Sequence, residues 1–145
     1  MKIRVAITID APPADTWRTV EPIERHVDWM AEADAIRFIG AQTRGVGTTF
    51  DCVTKVGPFR LTDRMTVTEW EYGRLMGIEH RGVVVGRGRF TLRRRRGGRT
   101  QFTWNERLTF PWWMGGPVGG LAAKPVLRGI WRRNLRRLKA IVEAA

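Results

Sequence analysis

The sequence predicts an α+β domain in which a curved, seven-stranded antiparallel sheet wraps around a long C-terminal helix, with two short helices between strands 1 and 2. Three observations predict it. Apolar residues alternate with polar ones through most of residues 2–110, the period of strands with one buried face. Glycines interrupt that alternation at short intervals, as hairpin turns do. From Pro125 onward the period lengthens to three and four, giving one large apolar helix face whose only available partner is the sheet. A chain of 145 residues encloses one substantial core, so residues 1–145 read as a single domain.

The elements follow in order. Ile3, Val5, Ile7 and Ile9 alternate with Lys2, Arg4, Ala6 and Thr8, which defines the first strand. "APPADTWRTV" places Pro13 at a first helical position and Asp15 in the first turn, where a carboxylate complements the helix dipole. Glu21 and Pro22 end that helix, and "IERHVDWM" reads as a second short helix bearing His26, Trp29 and Met30. Strands are then predicted near Ala35 to Thr43, Thr48 to Val56, Phe59 to Trp70, Arg74 to Arg81, Val84 to Arg95 and Arg99 to Phe110. Leu127, Ile130, Trp131, Leu135, Leu138, Ile141 and Val142 line one arc of the final helix, opposite a run of arginines. Pro125 is expected to break or kink it, with Pro117 to Ala123 as no more than a loose first turn.

This order, with "APPADTW", "ERHVDWM", "GVGTTF", "VTEWE" and the closing "LRRLKAIVEA", resembles the helix-grip superfamily over essentially the whole chain. That superfamily includes START lipid-transfer domains, the birch-pollen-allergen fold and the bacterial polyketide cyclase/dehydrase-like (SRPBCC) proteins. The resemblance implies a deep apolar cavity between sheet and helix for a lipid-like or polyketide-like molecule, held by a carrier or sensor. It equally accommodates a cyclase or dehydratase using a cavity carboxylate.

Independently of the resemblance, strand phase sorts residues by face. Phe50, Cys52, Thr54 and Val56 share one face, as do Phe59, Leu61, Asp63, Met65 and Val67, and Phe102, Trp104, Glu106, Leu108 and Phe110. Asp63 and Glu106 therefore fall in phase with apolar neighbours, and Asn134 falls within the apolar arc of the helix. A buried polar group without a partner costs about 1 to 3 kcal/mol, so each needs a protein donor, a water or a ligand. Arg64 or Arg107, displaced by a bulge, is one source of partners, and orientation of a guest is the other role open to them. With ligand binding as the function, the expected wall is Ile3, Val5, Ile7, Phe50, Phe59, Leu61, Met65, Phe90, Phe102, Trp104, Leu127, Ile130 and Trp131, with Asn134 as a polar contact. As an enzyme, Glu106, Asp63 or His26 would move the proton.

"FPWWMGGPVGG" sets Trp112, Trp113 and Met114 beside four glycines where the last strand leaves for the helix. These residues are expected to form an aromatic lip, opposite Trp29, Met30 and His26, on a segment that its glycines leave free to move. The same tryptophans suit a peripheral membrane contact beside the helix arginines. Net charge is +12 and lysine occurs only at Lys2, Lys55, Lys124 and Lys139, so arginine dominates. Arg87, Arg89, Arg93 and Arg95 form an outward stripe on one strand, but without interleaved aromatics to stack bases, which argues against nucleic acid. His26, His80 and Cys52 lack metal-ligand spacing, and "GVGTT" and "GRGRF" lack the lysine and strand-to-helix context of a phosphate loop, so neither metal nor cofactor is expected. "MKIRVAITID" does not read as a secretory leader and the single cysteine forms no internal disulfide, which together suggest the cytoplasm.

Overall fold

The alternation of the first strand places Ile3, Val5 and Ile9 in the interior along β1 (Lys2–Ile9). Pro12 and Pro13 then start α1 (Pro13–Val20), which turns Trp17 and Val20 inward. Glu21 ends it, accepting a hydrogen bond from the Trp17 indole at 2.6 Å. A six-residue 3₁₀ helix, Ile23–Asp28, leads into β2 (Ala33–Phe38). The antiparallel meander continues through β3 (Thr49–Val56), β4 (Phe59–Glu71), β5 (Leu75–Arg81), β6 (Val85–Arg95) and β7 (Arg99–Thr109). A short 3₁₀ turn, Trp112–Met114, precedes α2 (Gly116–Ala144). These elements come from a computed structural model that describes residues 1–145.

The seven strands form one curved sheet in the order β1-β7-β6-β5-β4-β3-β2. Sequence neighbours are hydrogen-bonded except β1 and β2, which occupy opposite edges. The segment holding α1 and the 3₁₀ helix must cross from one edge to the other, and this crossing closes one end of the body. Register shifts between Ala33 and Ala35 and between Val67 and Glu69 bend the sheet locally. No helix is long and apolar enough to cross a membrane.

The terminal helix has two functions along its length. Trp131, Asn134, Leu135, Leu138 and Val142, its large buried residues, all belong to the C-terminal half and close the core over β1 and α1. The N-terminal half buries only Gly116 and Gly120.

Two sequence expectations change here. The second strand stops at Phe38 because Gly40 takes φ 87° and the Gln42 amide bonds the Arg44 and Val46 carbonyls, so the chain satisfies itself as a loop. More consequentially, the last helix begins at Gly116 and runs unbroken past Pro125. Pro117 lies in the first turn, where a missing N–H has no partner to lose. Pro125 forfeits only the bond to the Leu121 carbonyl. The glycines of this segment serve close packing: a Cβ at Gly119 would strike the Met114 carbonyl, and one at Gly120 would press on the Phe110 ring.

Candidate functional site: a cavity beneath the N-terminal half of the long helix

Because the core is sealed by the C-terminal half of α2, the sheet and the N-terminal half enclose space instead of side chains. The result is a largely apolar cavity of about 380 Å³. Its floor follows strand alternation: Phe50, Cys52, Thr54 and Val56 from β3, Phe59, Leu61, Asp63 and Met65 from β4, and Trp104, Glu106 and Leu108 from β7. Phe90 of β6 and Ile78 and His80 of β5 complete it, and Ala123, Val126, Leu127 and Trp131 form the roof. His26, Met30 and Glu32 close the inner end, while Phe110 and Met114 stand where β7 leaves for α2.

Within this apolar lining the polar groups are organised as a network. The His80 Nε2 faces the Glu106 carboxylate at 3.0 and 3.3 Å, and the Trp104 indole donates to the same carboxylate at 3.1 Å. Trp104 stacks on Trp131, with ring centroids 4.7 Å apart and planes 16° from parallel. Beyond Trp131, Glu32 accepts a hydrogen bond from the Asn134 amide at 2.6 Å. On the other side Asp63 accepts from the Val83 backbone N–H at 3.1 Å. Two glycines make the space for two of these carboxylates: a Cβ at Gly88 would collide with Glu106, and one at Gly82 with Asp63.

Burial and neighbouring charge set the protonation of these groups. Burial opposes a charge on His80, but the Glu106 carboxylate, by charge and hydrogen bond, and Asp63 by charge, leave its pKa above the ordinary histidine value. Burial raises Asp63, against the pull of His80 and the Val83 and Val84 N–H groups. Burial also raises Glu32, opposed chiefly by the Asn134 hydrogen bond and reinforced by the Glu106 charge. The Cys52 thiol is pushed up to about 11, mainly by burial, and is no nucleophile at neutral pH. These side chains form no group of three or more ligands suited to a metal ion.

The structure places the expected site residues in three groups. Met30, Phe50, Phe59, Leu61, Met65, Phe90, Trp104, Leu127 and Trp131 line the cavity, together with Glu106, Asp63 and His26. His26, however, is completely desolvated, which lowers its pKa to about 4, and its Nε2 donates to the Val20 carbonyl at 2.7 Å. It is a neutral wall residue whose one N–H is already committed.

Trp29, Phe102, Ile130 and Asn134 lie outside the cavity wall, as do Ile3, Val5 and Ile7. Trp29 is fully buried among the rings of His26, Phe90, Phe102 and Trp104, with centroids 5.3 to 6.3 Å away, so it belongs to the core and not to a lip. Phe102 fills the same cluster, and Ile130 packs on the core from the helix. Asn134 spends its amide on the loop before β2, accepting from the Ala31 N–H at 3.1 Å and donating to Glu32. Neither carboxylate takes an arginine: Arg64 pairs outward with Asp51, and Arg107 is exposed.

Trp112 and Trp113 also miss the wall. A 3₁₀ turn advances about 120° per residue, so with Met114 facing the cavity the two preceding rings must face away. The opposed lip is thus replaced by a 3₁₀ turn with outward tryptophans.

Two network members escaped sequence reading. His80 was detectable, since Met76, Ile78 and His80 share one phase of β5. Glu32 lies in an irregular segment where no periodicity could place it.

Comparison with known proteins agrees with this architecture. The profile of the family described as "Polyketide cyclase / dehydrase and lipid transport" matches residues 1–143. The fold is similar to that of TTHA0849 from Thermus thermophilus, at TM-score 0.81 and 16% identity, over 99% of this chain and 98% of that one. It is similar to the Zhui aromatase/cyclase from Streptomyces sp. R1128 at TM-score 0.76 and 14% identity, over 99% and 93% of the chains. DR_A0006 from Deinococcus radiodurans gives TM-score 0.71 at 12% identity, over 97% and 95%. No curated protein matches the sequence. At such identities the structures speak for the helix-grip fold alone, whereas the profile spans nearly every residue, and the chain belongs to the polyketide cyclase/dehydrase and lipid transport family.

Proposed function

We propose that the protein encloses a hydrophobic small molecule, lipid-like or polyketide-like, and orients it by one polar end directed at His80 and Glu106, acting as a cytoplasmic carrier or sensor. The observation that carries this reading is the contrast within the cavity: about 380 Å³ of mostly apolar wall with a single hydrogen-bonded charge network on its floor. Apolar burial supplies affinity at about 25 cal/mol per Å², and a few fixed polar groups select orientation. The free, buried Cys52 places no demand on an oxidising compartment.

The test is displacement of a solvatochromic naphthylamine probe by long-chain fatty acids and by aromatic ketones, in wild type and in Glu106→Gln. A polar-ended guest is expected to displace the probe from wild type and to lose about tenfold in affinity in the variant, near the worth of one charged hydrogen bond. Equal displacement in both proteins removes the orienting role, and no probe binding at all removes the cavity as a binding site.

A second reading rests on one specific observation, the buried imidazole and carboxylate pair in reach of a guest. His80, whose pKa the Glu106 charge and hydrogen bond raise against burial, is placed to protonate a leaving hydroxyl when it carries its proton, while Asp63 or Glu106 accepts a proton from the carbon next to a carbonyl, releasing water. The similarity to an aromatase/cyclase favours this chemistry. Loss of turnover with retained binding in His80→Gln would distinguish an enzyme from a carrier.

A further inference from the structure

The antiparallel order brings the β3–β4 hairpin, the β5–β6 hairpin and the β7–α2 connection to the same end of the sheet. This is the open end of the cavity, since Phe59 and Val126 line the cavity and are also 63% and 58% exposed. Around them stand Val85, Trp112, Trp113, Val118 and Leu121, with Trp112 86% exposed. Seven of the eleven exposed large apolar side chains are therefore gathered at one end of the molecule. Scattered singly they would need no explanation, but gathered at one end they mark a contact surface.

The charges around that rim are predominantly basic. Between Glu106 and Glu143 the sequence contains no carboxylate, while it holds Arg107, Lys124 and Arg128 and the arginines that follow. The outward face of α2 is apolar at Val118, Leu121, Ala122 and Pro125, then turns to Arg132, Arg133, Arg136 and Arg137, none of which has an ion-pair partner. On the sheet, Lys2, Arg107 and Arg87 stand side by side across β1, β7 and β6. All three are exposed, two residues or about 7 Å behind Val85. The surface acids near the rim, Asp34 and Glu79, are already paired with Arg60 and Arg81.

We infer that this end docks on an anionic lipid bilayer. Trp112, Trp113, Leu121 and Val118 enter the headgroup boundary and the Lys2, Arg107, Arg87 row lies against lipid phosphates. Exposed tryptophan with apolar residues ahead of a belt of cations is the arrangement an interface of that kind recognises. A second copy fits poorly, since pairing this face with itself would stack like charges. Docking sets the cavity mouth at the acyl boundary, so a guest reaches it without crossing water. That consequence rests on the cavity reading above, whereas vesicle binding does not.

The experiment is flotation with vesicles of pure phosphatidylcholine and with vesicles holding 30% phosphatidylglycerol, alongside tryptophan emission and its quenching by brominated acyl chains. Expected are at least tenfold stronger partitioning onto the anionic vesicles, a blue shift with quenching, and loss of most binding at high salt. Trp112→Ser with Trp113→Ser should cut partitioning about tenfold while leaving the thermal midpoint and probe binding unchanged, because neither ring lines the cavity. Arg87→Glu with Arg107→Glu should abolish only the anionic preference. Arg94→Glu with Arg95→Glu, at the opposite end of β6, should bind as a control of equal net charge. The inference is overturned by absence of vesicle binding, by equal loss in the Arg94 and Arg95 variant, or by a dimer in light scattering that the Trp112 and Trp113 variant dissolves.

Discussion

Glu106 is held in place by groups from three strands: His80 from β5, Trp104 from its own strand and the missing side chain of Gly88 on β6. Gly88 pairs directly with Glu106 in the β6–β7 register, so its Cα is the wall against which the carboxylate rests. Gly88→Ala should push the carboxylate off His80 at a cost of about 1 to 3 kcal/mol. Without that partner the His80 pKa should fall, which proton-detected titration of its ring would record as a shift to lower pH. An unmoved titration curve would mean that Glu106 does not hold the charge on His80.

His26 makes the opposite kind of prediction. Its folded pKa of about 4 lies below the ordinary 6.5, so the unfolded chain takes up its proton first. The contribution of His26 to stability is complete above pH 6.5 and declines as pH falls toward 4, by roughly 1 kcal/mol per unit in that window. Denaturant unfolding at pH 7.0 and 5.0 measures the slope, and His26→Phe should flatten it. The alternation of the strands was enough to place Asp63 and Glu106 inside, because phase is a local property. Their partners were not readable, because His80 meets Glu106 only through a register linking residues 26 apart in sequence, and Glu32 meets Asn134 across 102.

At the scale of elements, α2 shows where local rules were overridden. Its N-terminal half contains Pro117, Gly119, Gly120 and Pro125, residues that disfavour a helix by up to about 3 kcal/mol each for proline and 1 for glycine. It is helical because Gly119 and Gly120 let it approach Met114 and Phe110, and because the C-terminal half is anchored by Trp131, Leu135, Leu138 and Val142. The strands needed no such rescue, and their limits follow the glycine turns closely. Gly129 is different from the other helix glycines, since a Cβ there meets nothing within 4 Å and its φ is not positive. Gly129→Ala should therefore raise stability by about 0.5 to 1 kcal/mol, seen as a higher denaturant midpoint at constant slope. A lower midpoint would mean that this turn of α2 is constrained by packing.

For the whole molecule, the division of α2 into a sealing half and a roofing half sets a conflict between stability and binding. Side chains that fully filled the interior would close the core at the density usual for proteins, but the wall beneath Ala123 and Leu127 stands open by about 380 Å³. A guest that occupies this space binds only the folded chain and must stabilise it. At a hundredfold excess over its dissociation constant the gain is about 3 kcal/mol, or roughly 5 to 10 °C in Tm for a chain of this size. Ala123→Phe projects a ring from the roof into the same volume. The variant is expected to melt no lower than wild type without guest, because apolar surface is buried in place of open space, and to lose the guest-dependent rise in Tm. Were the rise to persist in Ala123→Phe, the guest would be binding somewhere other than beneath the N-terminal half of α2, and the roofing function of that half would have no support.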